Sequence, residues 1–315
     1  MTETKPTQKK ENVRPSPTAL LNPRMDPIFK AIFTQETKES YAALESFISS
    51  VLGRKIKDLK LTANEPPVDN TTESQMSFDV SVTFDNGEKA SIEMQGRNRN
   101  YAYEARSEIQ VARLLNINAK KGDEWKAEKV YQISVLNFHL PKDDTSEMSW
   151  YTMKSQKGHG LSGHLNVIYI DLLVLKKLIR TPIENLTPLQ KWGLYLAYAD
   201  SEEMSDYVTE IANSEKGIME AKKIIRRMSQ DDSNWFIQNS YDTAMRDYND
   251  GLRNSKEQGL QQGLQQGRQE GAQQKAIETA QNMLNENISV ETVARCSTLP
   301  IEKVQELKSQ LEAKK

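Results

Sequence analysis

Residues 77–95 read SFDVSVTFDNGEKASIEMQ, and their pattern decides the fold. Phe78, Val80, Val82 and Phe84 alternate with Ser77, Asp79, Ser81 and Thr83. After Asp85-Asn86-Gly87 the alternation resumes, with Ala90, Ile92 and Met94 opposed to Ser91, Glu93 and Gln95. Two period-two runs joined by a glycine-containing turn predict a β-hairpin. A two-residue Asn86-Gly87 loop would set polar positions of one strand against apolar positions of the other. A three-residue loop, Asp85-Asn86-Gly87, matches the faces and puts Gly87 at the position that needs left-handed backbone. In that register Val80 faces Ile92, Phe78 faces Met94 and Asp79 faces Glu93.

Directly opposed side chains on paired strands have Cβ atoms about 5 Å apart, where like charges repel. A divalent cation between the two acids would offset that repulsion, since Mg²⁺ is typically held by one or two carboxylates plus water and substrate phosphate. The other reading is a solvated polar face on which two acids meet. The hairpin alone admits both.

Composition narrows the classes. Lys+Arg 42 against Asp+Glu 44 gives a net charge of -2, so any basic footprint for nucleic acid must be local. A single cysteine, Cys296, excludes an intrachain disulfide and a cysteine-rich metal cluster. His139, His159 and His164 lack close metal-ligand spacing, and the last two flank a loop-like Gly-Leu-Ser-Gly run. With no long apolar run and no leader pattern, the chain is expected to be soluble, cytoplasmic and without a membrane partner.

Residues 1–21 are polar and proline-bearing and read as a disordered tail. Asp26 then Pro27 predict an N-cap and first helical position for a helix carrying Ile28, Phe29, Ile32 and Phe33. A second helix follows with Tyr41, Leu44, Ile48 and Val51 in phase and Gly53 as its stop. Residues 54–76 read as a strand plus loop. Residues 97–118 predict a helix on which Arg99, Tyr103, Arg106, Gln110 and Arg113 share a face. That face is either solvated or, lying just after the hairpin, a basic stripe for the phosphates of a bound strand. Strands are expected at 130–138, 148–153 and 165–170, then helices over 171–249. The order predicts an α/β domain with a mixed sheet over residues 22–250.

Residues 251–274 differ in kind, with Gly259, Gly263, Gly267 and Gly271 recurring every fourth position. Each glycine costs a helix about 1 kcal/mol relative to Ala. The segment is read as a marginal helical linker, the alternative being a stripe for close helix approach and oligomerisation. Residues 275–315 are read as a small helical module: a helix over 276–284, another capped by Ser289, and a last one opened by Pro300. Such a trio serves protein contact or a helix-turn-helix-like role.

Several of these stretches together resemble a known family. Asp26-Pro27-Ile28-Phe29-Lys30-Ala31-Ile32-Phe33, Phe78-Asp79-Val80, Ile92-Glu93-Met94-Gln95 and Arg106 resemble the Rpn family of recombination-promoting nucleases, often labelled transposases, in the PD-(D/E)XK superfamily. Residues 164–172, residues 186–192 and the glycine-repeat tail are similar to later landmarks of that family. The resemblance implies a restriction-endonuclease-like mixed β-sheet core flanked by helices, with a helical C-terminal extension. It implies a metal-dependent DNA endonuclease using Mg²⁺, with Mn²⁺ as a substitute. Asp79 and Glu93 would take the places of the metal-binding acids. Gln95 would stand where the superfamily's motif has lysine, offering hydrogen bonds instead of a full charge. More charge stabilisation would then fall to the ion and to neighbours such as Arg106. Lys30 matches the opening motif in either a catalytic or a structural role.

The function expected is phosphodiester hydrolysis on DNA, linked by the resemblance to recombination or mobile elements. Arg99, Arg106 and Arg113 are the candidate DNA contacts. The rivals are a catalytically inactive DNA-binding descendant and an assembly protein that keeps the fold, with homo-oligomerisation through the C-terminal helices.

Overall fold

The computed structural model describes residues 14–63, 78–97, 102–118, 126–140 and 146–312. Two compact units divide after Ser240. The first holds a six-stranded mixed sheet in the order β1-β2-β3-β4-β6-β5. Its strands are β1 (Lys60–Leu61), β2 (Val80–Thr83), β3 (Lys89–Gln95), β4 (Val130–Leu136), β5 (Met148–Thr152) and β6 (Leu165–Asp171). β3, β4 and β6 run parallel, and antiparallel strands extend the sheet on both sides. Every residue of β4 is buried, as a central parallel strand covered on both faces requires.

The hairpin has the register derived from its alternation. Val80 pairs with Ile92 and Val82 with Ala90, and Phe84 and Glu88 close the loop through a 2.8 Å backbone hydrogen bond. Gly87 has φ +83°, the left-handed geometry expected at the third loop position.

Helices cover both faces of this sheet. α3 (Tyr103–Asn118) crosses from β3 to β4 and packs Tyr103, Val111 and Leu114 onto Val130, Leu136, Val167 and Tyr169. The alternate positions Ala90, Ile92, Ile133 and Val135 are fully buried and point the other way. An aromatic layer supplies the remaining core. Phe29 and Phe33 of α1 (Asp26–Thr34), Phe47 of α2 (Lys38–Leu52) and Trp192 of α5 (Pro188–Tyr198) have ring centroids 5.0 to 5.9 Å apart along the chain of contacts. Between them lie the short α4 (Leu172–Leu175), then α6 (Ser205–Ser214) and α7 (Lys216–Met228). α7 lies so close to α2 that a Cβ at Gly217 would fall 2.1 Å from the Cβ of Ser46.

Three local expectations are corrected. Met25, not Asp26, occupies the cap of α1, so Asp26 is the first helical residue and no side chain caps that end. The helix expected from residue 97 begins at Tyr103, with residues 98–101 outside the described part. The helix expected over 276–284 is the end of α8 (Asp232–Asn285), which runs without a break through the glycine repeat. Nothing among the described residues lies within 4 Å of where a Cβ would stand at Gly259, Gly263, Gly267 or Gly271, so those glycines accommodate no neighbouring helix of this chain. The disordered-tail expectation falls mostly on residues 1–13, outside the described part.

The second unit closes on its own small core. Ala280 near the end of α8, Val293 of α9 (Val290–Ser297), and Val304 and Leu307 of α10 (Ile301–Glu312) are buried together. Ser289 caps α9 through the Thr292 N–H, as its position predicted. No described helix is long and apolar enough to cross a membrane.

Candidate active site

The hairpin register sets Asp79, just before β2, against Glu93 in β3, and the backbone then locks the two carboxylates together. The Asp79 N–H donates to Glu93 Oε1 at 3.3 Å, and the Met94 N–H donates to Asp79 Oδ2 at 2.9 Å. Each acid is thus fixed by a peptide group of the strand that carries the other. Both are buried, Glu93 at 2% exposure and Asp79 at 9%.

Two cations take the remaining oxygens. Lys30, from α1, places Nζ 3.1 Å from Asp79 Oδ1, and Arg106, from α3, places Nη2 3.5 Å from Glu93 Oε2. Gln95 Nε2 donates to the same Glu93 Oε2 at 3.3 Å. Loss of hydration and the Asp79 charge outweigh Arg106 and Lys30, and push the Glu93 carboxyl up to about 8. A proton on Glu93 relieves both the cost of burying its charge and its repulsion by Asp79.

Beneath Glu93 lies a polar row that sequence reading missed. The Tyr103 hydroxyl donates to Ser134 Oγ at 3.0 Å, and the Ser91 hydroxyl donates to Gln132 Oε1. Ser134 is the parallel-pair partner of Glu93, and Gln132 that of Ser91. Burial pushes the Tyr103 phenol upward, so it stays neutral. The available signal was the polar pair Gln132 and Ser134 at alternate positions of the otherwise apolar VYQISVL strand.

The chain's other candidates fall differently. Lys30, Asp79, Glu93, Gln95 and Arg106 come together. Arg113 is half-buried farther along α3 and makes none of the contacts just described. Arg99 lies outside the described residues. The shared face of α3 is neither a solvated face nor a continuous basic stripe, because Tyr103 and Gln110 on it are each buried to 2% exposure. Of the histidines, His139 pairs through Nδ1 with Asp171 Oδ2 at 2.5 Å, away from the acids.

A family model described as PD-(D/E)XK nuclease family transposase matches residues 23–255. The chain belongs to that family. No curated protein and no solved structure matches it. The PD-(D/E)XK match embraces α1, the hairpin, α3 and the whole sheet, so every residue of the acid cluster lies inside it. It supports a nuclease- or transposase-like function, in a family that generally uses divalent metals.

The donor set fits a small divalent ion. Mg²⁺ and Mn²⁺ accept one or two carboxylates and complete their shells with water and phosphate oxygens. Among the described residues no third His, Cys, Asp or Glu joins the pair. The raised Glu93 carboxyl is the observation that fits: the pair gains a proton readily, and a cation would serve the same electrostatic need.

Proposed function

We propose that this PD-(D/E)XK protein is a Mg²⁺-dependent DNA endonuclease, with Mn²⁺ as a working substitute, whose ion would be held by Asp79 and Glu93. The observation that carries the reading is the buried carboxylate pair, each acid pinned by the other strand's backbone, with the Glu93 carboxyl raised in proton affinity by its burial and by Asp79. When bound, such an ion lowers the pKa of water and offsets charge on the phosphoryl oxygens.

The chain's own groups divide the remaining work. Gln95, within reach of Glu93, orients the attacking water through its amide. Lys30 and Arg106 neutralise the acids in the resting protein and stand close enough to meet the incoming phosphodiester. Together they supply the positive charge that Gln95 does not. Hydrolysis breaks one P–O ester bond and leaves a phosphate and a hydroxyl end. It needs no protein nucleophile. Arg99, Arg106 and Arg113 are proposed DNA contacts, and the product role is recombination or movement of genetic elements in the cytoplasm. Residues 22–250 are proposed as the catalytic domain, 251–274 as a linker, and 275–315 as a module that can support homo-oligomerisation.

One observation favours a second reading, a DNA-binding or assembly protein without catalysis. Both acids already carry an ammonium or guanidinium partner, which competes with an ion. Supercoiled plasmid incubated with and without Mg²⁺ separates the two. Divalent-dependent nicking by wild type supports the nuclease, and binding without cutting under Mg²⁺ and Mn²⁺ supports the rival.

A further inference from the structure

A second charged site lies among helices that the proposed chemistry does not use. A cavity of about 380 Å³ is lined by the segment before α1, the turn between α5 and α6, the start of α6, and α7. That volume is in the range of small-ligand pockets. Lys222 and Arg226, one turn apart on α7, both face it. Among the described residues neither has a carboxylate partner. Lys222 is half-buried and held in place by Thr209, whose hydroxyl accepts from Nζ at 2.7 Å while donating to the Ser205 carbonyl. Thr18 and Ser205 share the wall, and Leu20 and Val208 give it apolar surface.

Two acids also line the cavity. Asp200 is neutralised by Arg24, whose Nη2 reaches both carboxylate oxygens at 2.8 and 2.9 Å. Glu202 is exposed. Burial and the neighbouring guanidinium both push the Lys222 ammonium downward, as expected for two like charges facing one space without a counter-ion.

We propose that this cavity binds a phosphomonoester of nucleotide size, its phosphate between Lys222 and Arg226. A carboxylate offers two acceptor atoms and one charge. A terminal phosphate offers three acceptor oxygens and nearly two charges, which matches two cations and the adjoining hydroxyl-bearing residues. The cavity is larger than a phosphate alone, and its apolar wall has room for the attached group. The phosphate could belong to a free nucleotide or to the end of a cut strand.

The test is calorimetric titration of the full chain in EDTA, which silences the acid pair, with inorganic phosphate, AMP and adenosine as probes. Phosphate and AMP should bind and adenosine should not. Lys222→Gln and Arg226→Gln should each weaken AMP binding by about tenfold or more, while Lys222→Arg keeps most of it. Arg226 is exposed, so its variant tests the site even if Lys222→Gln disturbs folding. A short single strand with and without a 5′ phosphate identifies the source. A preference for the phosphorylated strand that is lost in Arg226→Gln assigns a strand end, and binding of AMP alone assigns a free nucleotide. Absence of binding by phosphate, AMP and the phosphorylated strand, or binding that is unchanged in both Gln variants, overturns the proposal.

Discussion

Asp79 with Glu93, and Lys222 with Arg226, are two like-charge pairs in one compact unit, and they are stabilised in opposite ways. The acids are rigidly held: backbone N–H groups fix one oxygen of each, and Lys30 and Arg106 cap the others. The cations are loosely held: Thr209 tethers one, and no described acid balances either. Like charges can be kept together by geometry or by a ligand. The acid pair has geometry, and the raised Glu93 carboxyl reflects the burial and closeness which that geometry imposes. The basic pair lacks such geometry. A ligand should therefore tighten an organised site in the first case and organise the site in the second.

The largest effects should come from breaking the acid pair. Asp79→Asn and Glu93→Gln should each lower Mn²⁺ affinity in titration calorimetry and reduce plasmid nicking by at least about 100-fold. The double variant should nick scarcely less than either single one, because the acids serve as a unit. Additive losses would mean that the two act separately.

The electrostatic origin of the pairing has a pH signature in the metal-free protein. Burial and the Asp79 charge push the Glu93 carboxyl from its ordinary 4.5 up to about 8, so the folded chain binds its proton more tightly than the unfolded chain does. The stabilisation from that proton is complete below the lower value and is lost as pH rises through the upper one. In EDTA, Tm of wild type should fall between about pH 5 and pH 8. Glu93→Gln should flatten that fall, and Mg²⁺ should raise the wild-type Tm most at the alkaline end. A Tm that rises with pH over this range would remove the repulsion from the account.

Milder changes sharpen the division of labour. Gln95→Ala removes hydrogen bonds and leaves the acids in place, so nicking should fall by about tenfold. Gln95→Lys should retain activity. Arg113→Ala should have the smallest effect, weakening DNA binding similarly across sequences and reducing the salt slope by about one phosphate contact. An unchanged slope, read from filter binding over a salt series, would take Arg113 off the DNA.

Much of the acid site was legible because a hairpin is local. Alternation fixed the register, Gly87 fixed the loop, and those two together put Asp79 against Glu93. What the hairpin could not reveal was the contribution of distant elements. Lys30 meets Asp79 only because α1 lies against β2 and β3, and Tyr103 meets Ser134 only because α3 returns across the sheet. The spacing of Tyr103, Arg106, Gln110 and Arg113 gave their common face correctly. Periodicity is blind to which face a sheet will cover, so the burial of Tyr103 and Gln110 was lost. In α8 the spacing suggested a separate helix at 276–284, whereas the glycine-repeat segment, read as helical, joins it in one unbroken run of 54 residues. Lys222 and Arg226 gave no sequence signal, since cations one turn apart on a helix read as an ordinary solvated face.

The central claim is that the buried carboxylate pair holds an ion that cuts DNA. Its most direct test is nicking of supercoiled plasmid by wild type and Asp79→Asn, with Mg²⁺, Mn²⁺ or EDTA, and with DNA binding measured separately in Ca²⁺. Wild type should nick only with Mg²⁺ or Mn²⁺, and Asp79→Asn should bind DNA while losing the nicking. Nicking at the wild-type rate by Asp79→Asn, or binding by wild type without nicking under either ion, would contradict the account.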